Sequence, residues 1–173
     1  MEFGITIPLQ NYLHARKPPY GNIIDPLFCW EVHRFTFAGK DALIAANASN
    51  RFCVLAAGLS QQDWADWQTV CVDSLAAVLR SESLSADLVE AYLGISGPFE
   101  TTKTHGRRSV AGLNLAVDYL QRHEFAIDTA ELVQLDACSA ANRELCKAAG
   151  FAQRGRPVDF LRHDLSRLGL LGG

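Results

Sequence analysis

The stretch Leu27-Phe28-Cys29-Trp30-Glu31-Val32-His33-Arg34-Phe35-Thr36-Phe37, followed by Ala38-Gly39-Lys40-Asp41, decides the fold. Its aromatic and β-branched residues favour a pleated strand. Apolar parity switches between Trp30/Val32 and Phe35/Phe37, which predicts a bulge near His33-Arg34. Gly39 suits the turn that follows, because glycine takes positive φ at no steric cost. Leu43 to Ala46 and Phe52 to Ala57 are short runs apolar on both faces, the pattern of central strands covered on both sides. Between them, Asn47-Ala48-Ser49-Asn50-Arg51 carries turn formers that bond their own backbone. Residues 28–57 are expected to form a three-stranded antiparallel meander.

Upstream, Ile5-Thr6-Ile7-Pro8-Leu9 reads as a short strand or edge piece, since Pro8 cannot donate to a central ladder. Asn11 to Arg16 reads as a short helix, and 17–26 as a loop stiffened by Pro18-Pro19. Downstream, helices dominate. Ser60 is a good N-cap with Asp63 in the first turn, and Trp64, Trp67, Cys71, Leu75 and Val78 mark one buried face of a helix over 61–81. Ser85 caps a helix from Ala86 to Leu93, ended by Gly94. Phe99 to Thr104 reads as a strand. Ser109 caps a helix with the stripe Val110, Leu113, Val117 and Leu120. Asp128-x-x-Glu131 reads as a capping box opening a helix through Leu132 and Leu135. Ser139 to Ala149 reads as helix, Gln153-Arg154-Gly155-Arg156-Pro157 as a basic loop, and 158–168 as a last amphipathic helix.

The chain has 173 residues, 49% hydrophobic and 20% charged, enough for one domain with a sizeable core. Its order, β-rich then mostly α, indicates a single α+β domain over 1–173: an N-terminal antiparallel meander packed against several amphipathic helices. Sixteen Lys+Arg against 19 Asp+Glu argue against bulk-charge coating of nucleic acid. No apolar run approaches the ~20 residues of a membrane span, and Met1-Glu2-Phe3-Gly4 does not begin a signal segment. The five cysteines are widely spaced and never form Cys-x-x-Cys, which fits small buried hydrophobes. A cytoplasmic location is expected.

The leading candidate site is Lys103-Thr104-His105-Gly106-Arg107-Arg108-Ser109, which joins a strand to a helix N-terminus. Unpaired N–H groups and the helix dipole favour an anion there, and Gly106 lets backbone approach a ligand. Arg107 and Arg108 can each offer an oxyanion two parallel donors. His105 is expected to add charge only near or below its reference pKa of about 6.5. A second cluster is Trp30, Glu31, His33 and Arg34. Strand alternation puts Glu31 and His33 on one face, where a Glu–His pair can serve as acid and base or hold a metal. These two ligands fall short of the three or four that zinc takes, and His14, His105, His123 and His163 would join them only through tertiary contacts. No metal or cofactor is expected. Motifs for nucleophile elbows, zincins and dinucleotide-binding loops are missing from the sequence.

These segments also carry a family resemblance. Leu27-Phe28-Cys29-Trp30 with His33, then Asn47, Ser49-Asn50-Arg51-Phe52 and Gly58-Leu59, resembles the bacterial domain-of-unknown-function family 6933. Thr102-Lys103-Thr104 with Arg108-Ser109-Val110, Gly112 and Asn114 is similar to its second characteristic stretch, and Asn142-Arg143 with Pro157-Val158-Asp159-Phe160-Leu161 to its end. His105-Gly106-Arg107 departs from that pattern, which has an acidic residue before the Arg-Ser pair. The resemblance implies a compact bacterial cytoplasmic domain and no catalytic residues. A second likeness is to GNAT-type acetyltransferases. It rests on Leu132 to Asp136 as a strand, Asn142 to Lys147 as a helix, Gly150-Phe151, and a loop at Arg107 to Gly112 for coenzyme A.

The function these readings favour is a binding module for a small phosphate- or carboxylate-bearing ligand or a short nucleic acid. An acyl-CoA-dependent N-acetyltransferase and a protein-interaction or inhibitor module are the alternatives.

Overall fold

In the computed structural model, residues 1–171 are described. The meander forms as β2 (Cys29–Phe37), β3 (Lys40–Asn47) and β4 (Cys53–Ala57). It is extended by β1 (Glu2–Ile5) and β5 (Glu100–Lys103) into a sheet of order β4-β3-β2-β1-β5. β1 runs parallel to both its neighbours, while β2, β3 and β4 alternate in direction. The fold is α+β with a mixed sheet.

The N-terminal segment is not an edge piece. Glu2 to Ile5 is buried between β2 and β5, and Pro8 lies beyond it in the first turn of α1 (Ile7–Tyr12), where its missing N–H costs nothing. The helix therefore starts at Ile7 rather than Asn11. The expected bulge at His33-Arg34 is also replaced. β2 and β3 keep unbroken register from Trp30 opposite Asn47 to Phe37 opposite Lys40. Both parities can be apolar because both faces are covered. Arg34, sharing the Trp30/Val32 face, lies 3.8 Å from the Tyr12 ring of α1. Phe37, on the other face, packs against Phe125.

The tryptophan helix is two helices, α2 (Gln61–Ala65) and α3 (Trp67–Ser81), broken where Asp66 takes φ −117° and ψ 37°. Asp66 accepts a bond from the Thr69 hydroxyl, so the break restarts the helix rather than ending it. Ser60 and Asp63 form a reciprocal capping box. The stripe Trp64, Trp67, Cys71, Leu75 and Val78 is buried throughout, as the spacing predicts. Ser85 caps α4 (Ala86–Ile95), but Gly94 lies inside it, and Gly97 at φ +69° takes the left-handed position beyond its end.

α5 (Arg107–Arg122) begins three residues earlier than expected, with Gly106 rather than Ser109 as N-cap, and Ser109 donates its hydroxyl to the Gly106 carbonyl. Residues 128–133 are not helical. The Asp128 carboxylate accepts from Ala130 and Glu131 N–H in a local turn, and Gln134 precedes α6 (Leu135–Arg143). Helix does not continue to Ala149, because Cys146–Lys147 (β6) pairs with Arg154–Gly155 (β7) across the segment read as a basic loop. α7 (Pro157–Arg167) follows with Pro157 in its first turn. The acetyltransferase-like arrangement of Leu132 to Lys147 is therefore not formed. Val133 makes one isolated bridge to Ala56, and α6 stops at Arg143.

Residues 132–142 instead close the β4 edge. Ala57 N–H donates to Leu132 O, and Gln134 N–H donates to Leu55 O. The Asn142 side chain accepts from Cys53 N–H at 2.7 Å and donates to Cys53 O at 2.8 Å. Four of the five cysteines are buried, and all five are free. Among the described residues, no helix is long and apolar enough to cross a membrane.

Trp64 is 4% exposed, and its indole N–H donates to Asp41 at 2.8 Å. Trp64→Ala should cost ~3–5 kcal/mol in urea unfolding. A loss below about 1 kcal/mol would contradict its place in the core.

Candidate functional site

Parallel pairing at the centre of the sheet sets residue types beside one another that are far apart in sequence. Glu2 lies opposite Cys29, and Gly4 lies opposite both Glu31 and Thr102. In a parallel ladder of equal register these side chains share one face. The chain leaving β5 folds His105 over Gly4, which has no side chain to occupy that space. A Cβ on Gly4 would sit 2.7 Å from Glu31 Oε2 and 2.9 Å from both His105 Nδ1 and Thr104 Cα. Gly21 is required for the same reason, because a Cβ there would strike the Glu2 carboxylate.

The imidazole bridges two buried carboxylates. His105 Nε2 lies 3.0 Å from Glu2 Oε2, and Nδ1 lies 3.2 Å from Glu31 Oε1. The His105 backbone N–H also donates to Glu31 Oε1 at 2.8 Å. Glu2 Oε1 accepts from the N–H groups of Asn22 and Ile23 at 2.5 and 2.9 Å. Burial works to raise the Glu2 pKa, but these N–H donors and His105 hold it below the usual carboxylate value. Burial likewise works to lower the His105 pKa, and the Cys29 sulfur and Glu31 carboxylate overcome it, pushing the imidazole up to about 10. His105 is therefore charged at neutral pH, contrary to the expectation from its reference pKa, and its charge is spent on the two carboxylates. Glu31 Oε2 is buried with no hydrogen-bond partner among the described residues. The Cys29 thiol donates weakly to Asp25 O at 3.9 Å. A Cys29 sulfur, a Glu2 oxygen and a His105 ring nitrogen lie within 4.8 Å of one another.

This cluster floors a cleft of about 560 Å³. Lys103, Thr104, Arg108 and Ser109 line it, together with Tyr20 and Ile24 from the 17–26 loop. The residues of the basic 103–109 loop singled out in the sequence therefore converge, except Arg107, which stays outside the cleft. Lys103 Nζ rests 3.9 Å from the centre of the Tyr20 ring. Among the described residues, Lys103, Arg107 and Arg108 form no salt bridge. The α5 N-terminus carries no side-chain cap, so its first N–H groups are left for another acceptor.

The second cluster divides across the sheet. The Trp30 indole donates to Tyr92 on one face, and Arg34 pairs there with Asp41. On the other face His33 Nδ1 lies 2.8 Å from the Thr6 hydroxyl rather than meeting Glu31. Glu31 joins the first cluster instead, through His105. Sequence reasoning missed Glu2, Cys29 and Gly4 as site residues, because only the parallel placement of β1 brings them together. It also missed a second cleft of about 380 Å³ lined by Arg51, Cys146, Arg122 and Arg154. There Arg51 Nε is buried without an acceptor among the described residues, and it would meet a Cβ on Gly112 at 2.9 Å. The turn 47–51 itself holds as read, though buried. Asn47 Oδ1 accepts from Ser49 and Asn50 N–H, and Asn50 donates to Asp164 at 2.9 Å.

The family described as Domain of unknown function (DUF6933) matches residues 2–159, and the chain belongs to it. No curated protein matches the chain.

Two glycine-to-alanine substitutions should act in opposite directions. Gly4→Ala must displace backbone at Thr104 as well as His105 and Glu31, and should destabilise by about 1–3 kcal/mol. Gly94→Ala, inside α4 with nothing within 4 Å of its Cβ, should stabilise by about 0.5–1 kcal/mol. Denaturant midpoints of the two variants measure both effects.

Proposed function

We propose that this chain binds a small ligand through a phosphate or carboxylate group seated at the start of α5. The observation that carries the reading is an uncapped helix N-terminus opening into the cleft lined by Lys103 and Arg108. Backbone N–H groups and the helix dipole supply the fixed part of such a site. Arg108 supplies a planar fork of donors, and Lys103, stacked on Tyr20, a point charge. Ser109 contributes its backbone N–H, since its hydroxyl is committed to Gly106. The exposed faces of Tyr20 and Ile24 suit an apolar body attached to the anionic group.

A compact ligand is favoured over a long polyanion. Only Lys103 and Arg108 among the lysines and arginines line this cleft, and the chain as a whole carries a net charge of −3. Titration calorimetry at low salt, with inorganic phosphate, a nucleoside monophosphate and a short oligonucleotide, tests the reading. Binding of the small phosphates should weaken with added salt, and Arg108→Ala should weaken it by about tenfold or more. Absence of any binding at low salt would overturn the proposal.

A further inference from the structure

We infer that Glu2, Cys29 and His105 form a site for a divalent metal ion of borderline softness, zinc above all, on the floor of the cleft. The three residues offer one oxygen, one sulfur and one nitrogen ligand within 4.8 Å of one another. In tetrahedral zinc sites the ligand atoms stand about 3.3–3.8 Å apart, so closing the set takes a slight opening of the 3.0 Å Nε2–Oε2 pair and a shortening of up to about 1 Å elsewhere. Nε2 and Glu2 Oε2, at 3.0 Å, already face each other. Three protein ligands leave the fourth position toward the cleft, the arrangement of zinc centres that accept an exogenous ligand.

An independent observation supports the site. Glu31 lies 3.2 Å from His105 Nδ1, the nitrogen opposite the proposed metal-binding one. A carboxylate so placed fixes the imidazole tautomer that presents Nε2 as a ligand, as metal-bound histidines commonly require. The same Glu31 is wholly buried, and while its Oε1 is met by His105, its Oε2 has no hydrogen-bond partner among the described residues.

The same atoms do not suit a cysteine nucleophile with a histidine base. Glu2 sits 3.0 Å from the nitrogen that would take the thiol proton, and its negative charge opposes a thiolate beside it. A cation among the three groups removes that conflict. This inference does not depend on the anion reading, because the metal is tested alone.

The test is titration of the metal-free chain with Zn²⁺ and Co²⁺. One equivalent should bind, and the cobalt complex should show thiolate-to-metal charge-transfer absorption with intense tetrahedral bands. Glu31→Gln should weaken affinity about 10–100-fold, and Cys29→Ala by more than about 100-fold with loss of the charge-transfer band. Cys146→Ala should change neither. If Cys29→Ala fails to fold, the wild-type cobalt spectrum decides alone. Absence of stoichiometric binding, or a cobalt spectrum without thiolate character, would overturn the inference.

Discussion

Two carboxylates buried on neighbouring strands must be met by a single imidazole. Glu2 and Glu31 are 1% and 0% exposed, and His105 lies between them. Leaving either charge unpaired in the interior would cost several kcal/mol, so the elements that deliver His105 are not free to vary. Gly4 must lack a side chain, β5 must end where it does, and the chain must turn at Gly106, whose φ of +128° suits glycine. The same turn begins α5 and places Arg108 at the cleft mouth. Electrostatics in the sheet thus determines where the basic loop points.

The cleft combines two opposed fields. Its floor is rich in acidic and soft donors, and its rim is cationic. A ligand with one anionic group gains at the rim, whereas a cation gains at the floor. The proximity of the two is consistent with both readings of the site and with simultaneous occupation. The charged imidazole does not favour either, because its donors are already engaged by Glu2 and Glu31.

What was legible in the sequence follows the range of the interactions involved. The meander, the Ser60 and Ser85 caps and the buried tryptophan stripe are set by local pattern and short turns. β1 was misread because a four-residue strand held by parallel pairing has no local periodicity, and its Glu and Gly are poor strand formers. The stretch 128–149 was misread because its apolar residues pack as a cover for an edge and as a short hairpin rather than along a helix. In the site, the basic loop was visible because strand, glycine, cations and helix start are contiguous. Glu31 was visible only as a possible partner of His33. Its meeting with His105, 74 residues away, is a product of topology.

The Asn142 amide lying against β4 has a consequence for self-association. An outer strand normally presents a row of main-chain donors and acceptors that a foreign segment can zip onto. Here Cys53 has both of its groups occupied by one side chain, and Leu55 and Ala57 are engaged by 132–134. The sheet therefore offers no template on that flank. Lengthening it by another molecule's strand would first require peeling away a covering segment whose own polar groups would then need water.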